Sequence, residues 1–125
     1  MNKYEKKVKK SNLYKEFVSI LNGKLQLSQR ETDLLSLLVK IDSEWAPRYS
    51  GEEKNILSTD NRRFIMKETR INKSNLSKYI NILRDKGILL IENGKYVISP
   101  FLSPIIDKDR VTVIFNLVID ENNRS

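Results

Sequence analysis

Apolar positions recur along this chain with two different spacings. Tyr4, Val8, Tyr14, Phe17, Val18 and Leu21 fall on one side of a helix over residues 3–21, and Asn22-Gly23 is placed to end it. Ser28-Gln29-Arg30-Glu31 has the form of a capping box, Ser at the cap and Glu three residues on. It predicts a helix to about Glu44 with Leu34, Leu35, Leu38, Ile41 and Trp45 as its stripe, stopped by Pro47. Residues 46–57 read as a polar connection containing Gly51, long for a link between packed helices. Ser58 or Thr59 is expected to cap a helix over about 60–69, with Phe64 and Ile65 as core candidates.

Asn72 is expected to cap the next helix. With Ile71 before it and Leu76 four residues into the helix, the pair forms a hydrophobic staple. Leu76, Ile80 and Leu83 then stand at i, i+4 and i+7, flanked by Tyr79, and Gly87 falls where a helix C-terminal glycine belongs. Beyond it the period changes. Ile88-Leu89-Leu90-Ile91 reads as a strand, Asn93-Gly94 suits the two left-handed positions of a type I′ turn, and Tyr96-Val97-Ile98 returns. Pro100 and Pro104 are expected to bar regular structure. Val111 to Ile119 reads as one more strand before a polar tail at 120–125. No internal repeat or low-complexity segment is present.

The pattern therefore predicts a mainly α protein with a small β part (α+β). It divides into a basic N-terminal helix or arm (1–24), a central domain (25–104), and a C-terminal strand with a polar tail (105–125).

Charge sharpens this picture. The 125 residues carry a formal net charge of +7, a balance that favours anionic partners. It is localised. Residues 1–10 hold five lysines against one glutamate, and residues 60–86 hold eight basic side chains against three acidic ones. Cysteine and histidine are both absent, which excludes disulfides, thiolate chemistry, a histidine general base and the usual zinc ligands. Glu52 and Glu53 sit in the predicted loop with no second acidic cluster to make a metal site. Neither an enzyme, a cofactor nor a small-molecule effector is expected. No apolar run is long enough to span a bilayer, and the basic N-terminus is not followed by a signal-peptide core. The expectation is an intracellular protein: cytoplasmic, or in a host cytoplasm or virion if viral.

Candidate chemistry converges on residues 73–86. Opposite the apolar stripe, Ser74, Ser77, Lys78 and Asn81 stand at i, i+3, i+4 and i+7. Ser and Asn can bond base edges, and Lys can reach guanine or phosphate. Lys73 precedes this face. Arg62, Arg63 and Lys67 on the preceding helix, and Lys95 at the hairpin, are candidate phosphate contacts. The plainer alternative for each is a solvated surface, and for Lys3 to Lys10 a solubilising tail. Trp45 and Tyr49 are candidates for base stacking, against a buried Trp closing the helix interface.

The stretch Ile71-Asn72-Lys73-Ser74-Asn75-Leu76-Ser77-Lys78-Tyr79-Ile80, continued by Leu83-Arg84-Asp85-Lys86-Gly87-Ile88-Leu89, resembles the winged helix-turn-helix superfamily. Asn93-Gly94-Lys95-Tyr96-Val97-Ile98-Ser99-Pro100 is similar to the wing end of plasmid and phage replication initiators, with Ser99 where those proteins carry Asn. The resemblance covers about residues 58–104 and extends to small phage proteins of unassigned role. It implies double-stranded DNA binding, as a transcription regulator or replication initiator. The alternative is a phage structural or assembly protein that uses the fold for packing. The nearly unbroken apolar run Val111–Ile119 and the basic N-terminal segment would then meet a second copy or an assembly partner.

Overall fold

A computed structural model describes residues 6–102, 105–107 and 110–112. Its architecture is mainly helical, with four α-helices and two small antiparallel hairpins.

After a 3-10 turn at Lys10–Asn12, helix α1 spans Leu13–Leu25. It begins later and ends later than the apolar spacing suggested. Gly23 lies inside it, and the chain leaves the helix at Gln26, which is left-handed (φ 55°) and donates its backbone N–H to Asn22 O. The Asn22 side chain is drawn off to the loop, accepting from Leu27 N at 2.9 Å and donating to Leu27 O. That clamp lets buried Leu27 reach the core, a tertiary gain that overrides the Asn-Gly stop signal.

Helix α2, Gln29–Glu44, starts with the expected capping box. Ser28 Oγ accepts from Glu31 N at 3.2 Å, and Glu31 Oε1 accepts from Ser28 N at 2.9 Å. Tyr14 near the start of α1 lies beside Ser43 and Glu44 at the end of α2, so the two helices pack antiparallel. Trp45 leaves the helix with extended geometry, partly exposed, with the Lys54 ammonium 5.8 Å from its ring centroid.

The connection to α3, Thr59–Thr69, is more than a polar loop. Its last residues, Ile56 and Leu57, are buried. Ser58 caps α3 by accepting from Asn61 N. Ile65 on α3 is fully buried, but Phe64, expected in the core beside it, is 44% exposed. Helix period explains the difference, since adjacent residues point about 100° apart and α3 buries one narrow stripe.

Helix α4, Lys73–Asp85, follows three residues later. Asn72 Oδ1 accepts from Asn75 N at 2.8 Å, and Ile71 and Leu76 are both buried, as the staple requires. At its end Ile88 N donates to Leu83 O and Gly87 N to Arg84 O, with Gly87 at φ +72°, the Schellman arrangement.

Strands β1 (Leu89–Glu92) and β2 (Lys95–Ile98) pair antiparallel, Leu89 opposite Ile98 and Glu92 opposite Lys95. Asn93 and Gly94 at φ 52° and 76° make the type I′ turn. The Tyr96 N–H and C=O turn away from β1 and meet the α2–α3 connection. Ile56 N donates to Tyr96 O at 3.1 Å, and Tyr96 N donates to Asn55 Oδ1 at 3.1 Å. The connection thus borders the hairpin on its second edge. One core joins Leu34, Leu35 and Leu38 with Ile56, Ile65, Leu76, Leu83, Ile88 and Leu89.

Pro100 opens a 3-10 turn, Pro100–Leu102, and a second hairpin pairs β3 (Ile105–Asp107) with β4 (Arg110–Thr112). Pro104, expected to bar regular structure here, lies outside the described residues; β3 begins at Ile105. Of the expected Val111–Ile119 strand, residues 113–119 lie outside the described residues, as do Tyr4 and Lys3.

Candidate nucleic-acid interface

The amphipathic spacing of α4 is realised in space. Leu76, Ile80 and Leu83 are buried, whereas Lys73, Ser74, Ser77, Lys78 and Asn81 are all exposed. The polar side chains are short near the middle of this face and cationic at Lys73 and Lys78, about 7.5 Å apart along the axis. None of the five makes a hydrogen bond or ion pair to another described residue. Together they form a polar strip on a helix anchored to the core through Leu76, Ile80 and Leu83.

The remaining predicted contacts differ from one another. Lys67 is exposed on α3 and has no carboxylate within ion-pair distance among the described residues. Arg63 is exposed and stands 4.0 Å from Asp60, a loose pairing. Arg62 is partly buried. Its Nε donates to Leu57 O at 2.9 Å and its guanidinium lies 5.6 Å from the centroid of the Tyr96 ring. It serves as a strut between α3, the connection and β2. Lys95 forms an ion pair with Glu53 at 3.2 Å.

Two arginines next to α4 escaped the sequence reading. Arg30, in the first turn of α2, donates from Nη2 to Thr69 O at 3.1 Å, which brings it to the α3–α4 turn. Arg70 occupies that turn in the left-handed conformation (φ 59°), exposed. A signal existed for Arg30, because a cation in the first turn of a helix opposes the macrodipole. Nothing local marks Arg70. Asn55, which holds both edges of the loop–β2 junction, was also missed because its partner lies 41 residues away.

The opposite end of the domain is self-neutralised. Arg48 holds Glu52 through two side-chain bonds of 2.8 and 3.0 Å, and Lys54 holds Asp42 at 2.9 Å. Hydrogen bonds from the Arg48 side chain and backbone keep the Glu52 carboxyl below its ordinary pKa. Trp45, Glu52, Glu53, Asn55 and Asp60 border an open polar groove of about 320 Å³ here. Among the described residues no group of three His, Cys, Asp or Glu side chains is arranged to hold a metal ion. No helix among them is long and apolar enough to cross a membrane.

Comparison with known protein families, with curated proteins and with solved structures returns no match.

Proposed function

We propose that this chain is a small, sequence-specific double-stranded DNA-binding protein of winged helix-turn-helix type, acting as a transcription regulator or replication initiator. The observation that carries this reading is α4: buried on Leu76, Ile80 and Leu83, and exposed on Ser74, Ser77, Lys78 and Asn81. A major groove about 12 Å wide admits such a helix, and its base edges match these donors and acceptors.

The element order supports the same assignment. A helix, a turn-containing connection, two helices joined by a three-residue turn and a hairpin follow in sequence, and the connection meets the second strand of the hairpin. This is the order in which a winged helix sets a wing beside its recognition helix. Lys67 and Arg63 then lie on the element preceding α4, suited to phosphates, and the hairpin is the wing. Arg62 braces that wing, and Lys95 has to part from Glu53 to reach a phosphate.

Fluorescence anisotropy with a random-sequence duplex across a salt series tests this. Binding at micromolar concentration or tighter, with log affinity falling linearly with log salt, is expected. A duplex selected for tight binding should lose its advantage in the Lys78→Glu, Asn81→Ala double variant while thermal unfolding is unchanged. Equal affinity in that variant would remove α4 from the interface.

A second reading, in which the fold packs against protein neighbours in an assembly, would use exposed apolar side chains such as Ile20, Phe64 and Ile91, 52%, 44% and 42% exposed. A defined oligomer by light scattering, with no DNA binding at low salt, would put that reading first.

A further inference from the structure

Two sets of cations in this domain differ in their partners. Around the α2–α3 connection each is matched by an acid: Arg48 by Glu52, Lys54 by Asp42, Lys95 by Glu53. Around the α3–α4 turn they are not. Arg30, Lys67, Arg70 and Lys73 are exposed, and none has a carboxylate within ion-pair distance among the described residues. The structure draws these like charges together. The Arg30 guanidinium is held at Thr69 O, one residue before Arg70, and Lys73 follows after Ile71 and Asn72. Clustered like charge raises the energy of the free protein and is relieved by a polyanion.

Arg70 adds a second cost. It adopts φ 59°, a region in which a side chain other than Gly or Asn is strained by roughly 1–2 kcal/mol. Either of those residues would end α3 with less strain, but neither carries charge. Arg30 is preorganised by its bond to Thr69 O, which leaves the other guanidinium N–H groups of its planar fork for a further acceptor.

We propose that Arg30 and Arg70 form a clamp on the DNA sugar–phosphate backbone, flanking the start of α4 and carrying the interface from α4 onto α2. This rests on the DNA-binding reading. The clamp is indifferent to sequence and fixes the register from which Ser74, Ser77, Lys78 and Asn81 read the groove.

Arg30→Gln and Arg70→Asn test it, the latter chosen because Asn accepts the left-handed conformation. Each lost phosphate contact lowers the magnitude of the log–log salt slope by about 0.9, or about eightfold in affinity at 0.1 M salt. The same factor is expected on a random and on a selected duplex. Arg30→Lys keeps the charge and should keep the slope, which separates phosphate contact from any loss of the Thr69 bond. Circular dichroism melts should confirm that all three variants are folded. If the parent protein binds DNA and both neutral variants keep its slope, the clamp is wrong and the DNA reading stands. If the parent binds no DNA at low salt, both fall, and the patch belongs to an acidic protein surface.

Discussion

The guanidinium of Arg62 lies over the ring of Tyr96, 5.6 Å from its centroid, while its Nε donates to Leu57 O. One side chain on α3 thereby ties together the α2–α3 connection and the second strand of the hairpin. Removing it leaves a buried-loop carbonyl without its donor and the ring without its cation. Arg62→Ala is therefore expected to destabilise the fold by about 1–3 kcal/mol. Arg62→Lys should recover little, because an ammonium cannot both stack and reach Leu57 O in the same geometry. Urea unfolding measures the loss. A stability equal to that of the parent protein would show that Arg62 is free for other work.

Ile65 and Phe64 are adjacent apolar residues with opposite environments, fully buried beside 44% exposed. Ile65→Ala should cost about 2–5 kcal/mol through lost burial and the cavity left behind. Phe64→Ser is expected to stay within about 1 kcal/mol of the parent. A large loss at Phe64, read by the same urea transitions and dependent on protein concentration, would mean that its ring is covered by a second copy of the chain.

The contrast also marks how far sequence reasoning reaches. Signals confined to a few residues were legible: the Ser28–Glu31 box, the Asn72 cap, the Gly87 ending and the Asn93-Gly94 turn each match the structure. Their physics is local, one hydrogen bond or one left-handed φ at a time. Phe64 and Ile65 share a hydrophobic character that cannot say which of two neighbours faces the core without the azimuth of the helix. Asn55 and Ile56 looked like loop because their partner, Tyr96, is distant in sequence. The polar face of α4 was legible because its spacing is helical. The roles of Arg62 and Arg30 were not, since charge alone does not reveal a bond to Leu57 O or Thr69 O.

Tyr14 gives the domain a dependence on high pH. Its phenol is pushed above its ordinary pKa, mainly by burial and secondly by the Glu44 carboxylate, against a smaller opposing effect of the neighbouring Ser43 hydroxyl. A folded-state pKa above the unfolded value means that the unfolded chain loses the proton first. The contribution is fully present below the ordinary tyrosine value and falls away as pH rises from there through the folded value. In a tyrosinate absorbance titration one of the five tyrosines should ionise late, and that step should vanish in Tyr14→Phe. The loss of stability in alkali should also be shallower in that variant. Indistinguishable profiles would place Tyr14 in solvent.

Lys95 and Glu53 set a brake on the proposed wing contact. Their ion pair spans 3.2 Å with both side chains substantially exposed, 38% and 58%. At such a site the pair contributes no more than about 1 kcal/mol to folding, so its loss is tolerated. Its effect on binding should be larger. In the free protein the carboxylate competes with phosphate for the ammonium, and when DNA arrives it stands as a like charge beside the backbone. Glu53→Gln is therefore expected to leave the melting temperature nearly unchanged, raise affinity for a random duplex, and steepen the salt slope by about 0.9, one additional phosphate contact. Lys95→Gln should matter more in the Glu53→Gln background than in the parent, giving a coupling that a double-mutant cycle reads directly. Additive effects with an unchanged slope would mean that the wing tip stays clear of the backbone, leaving α4 and the α3–α4 turn to hold the duplex alone.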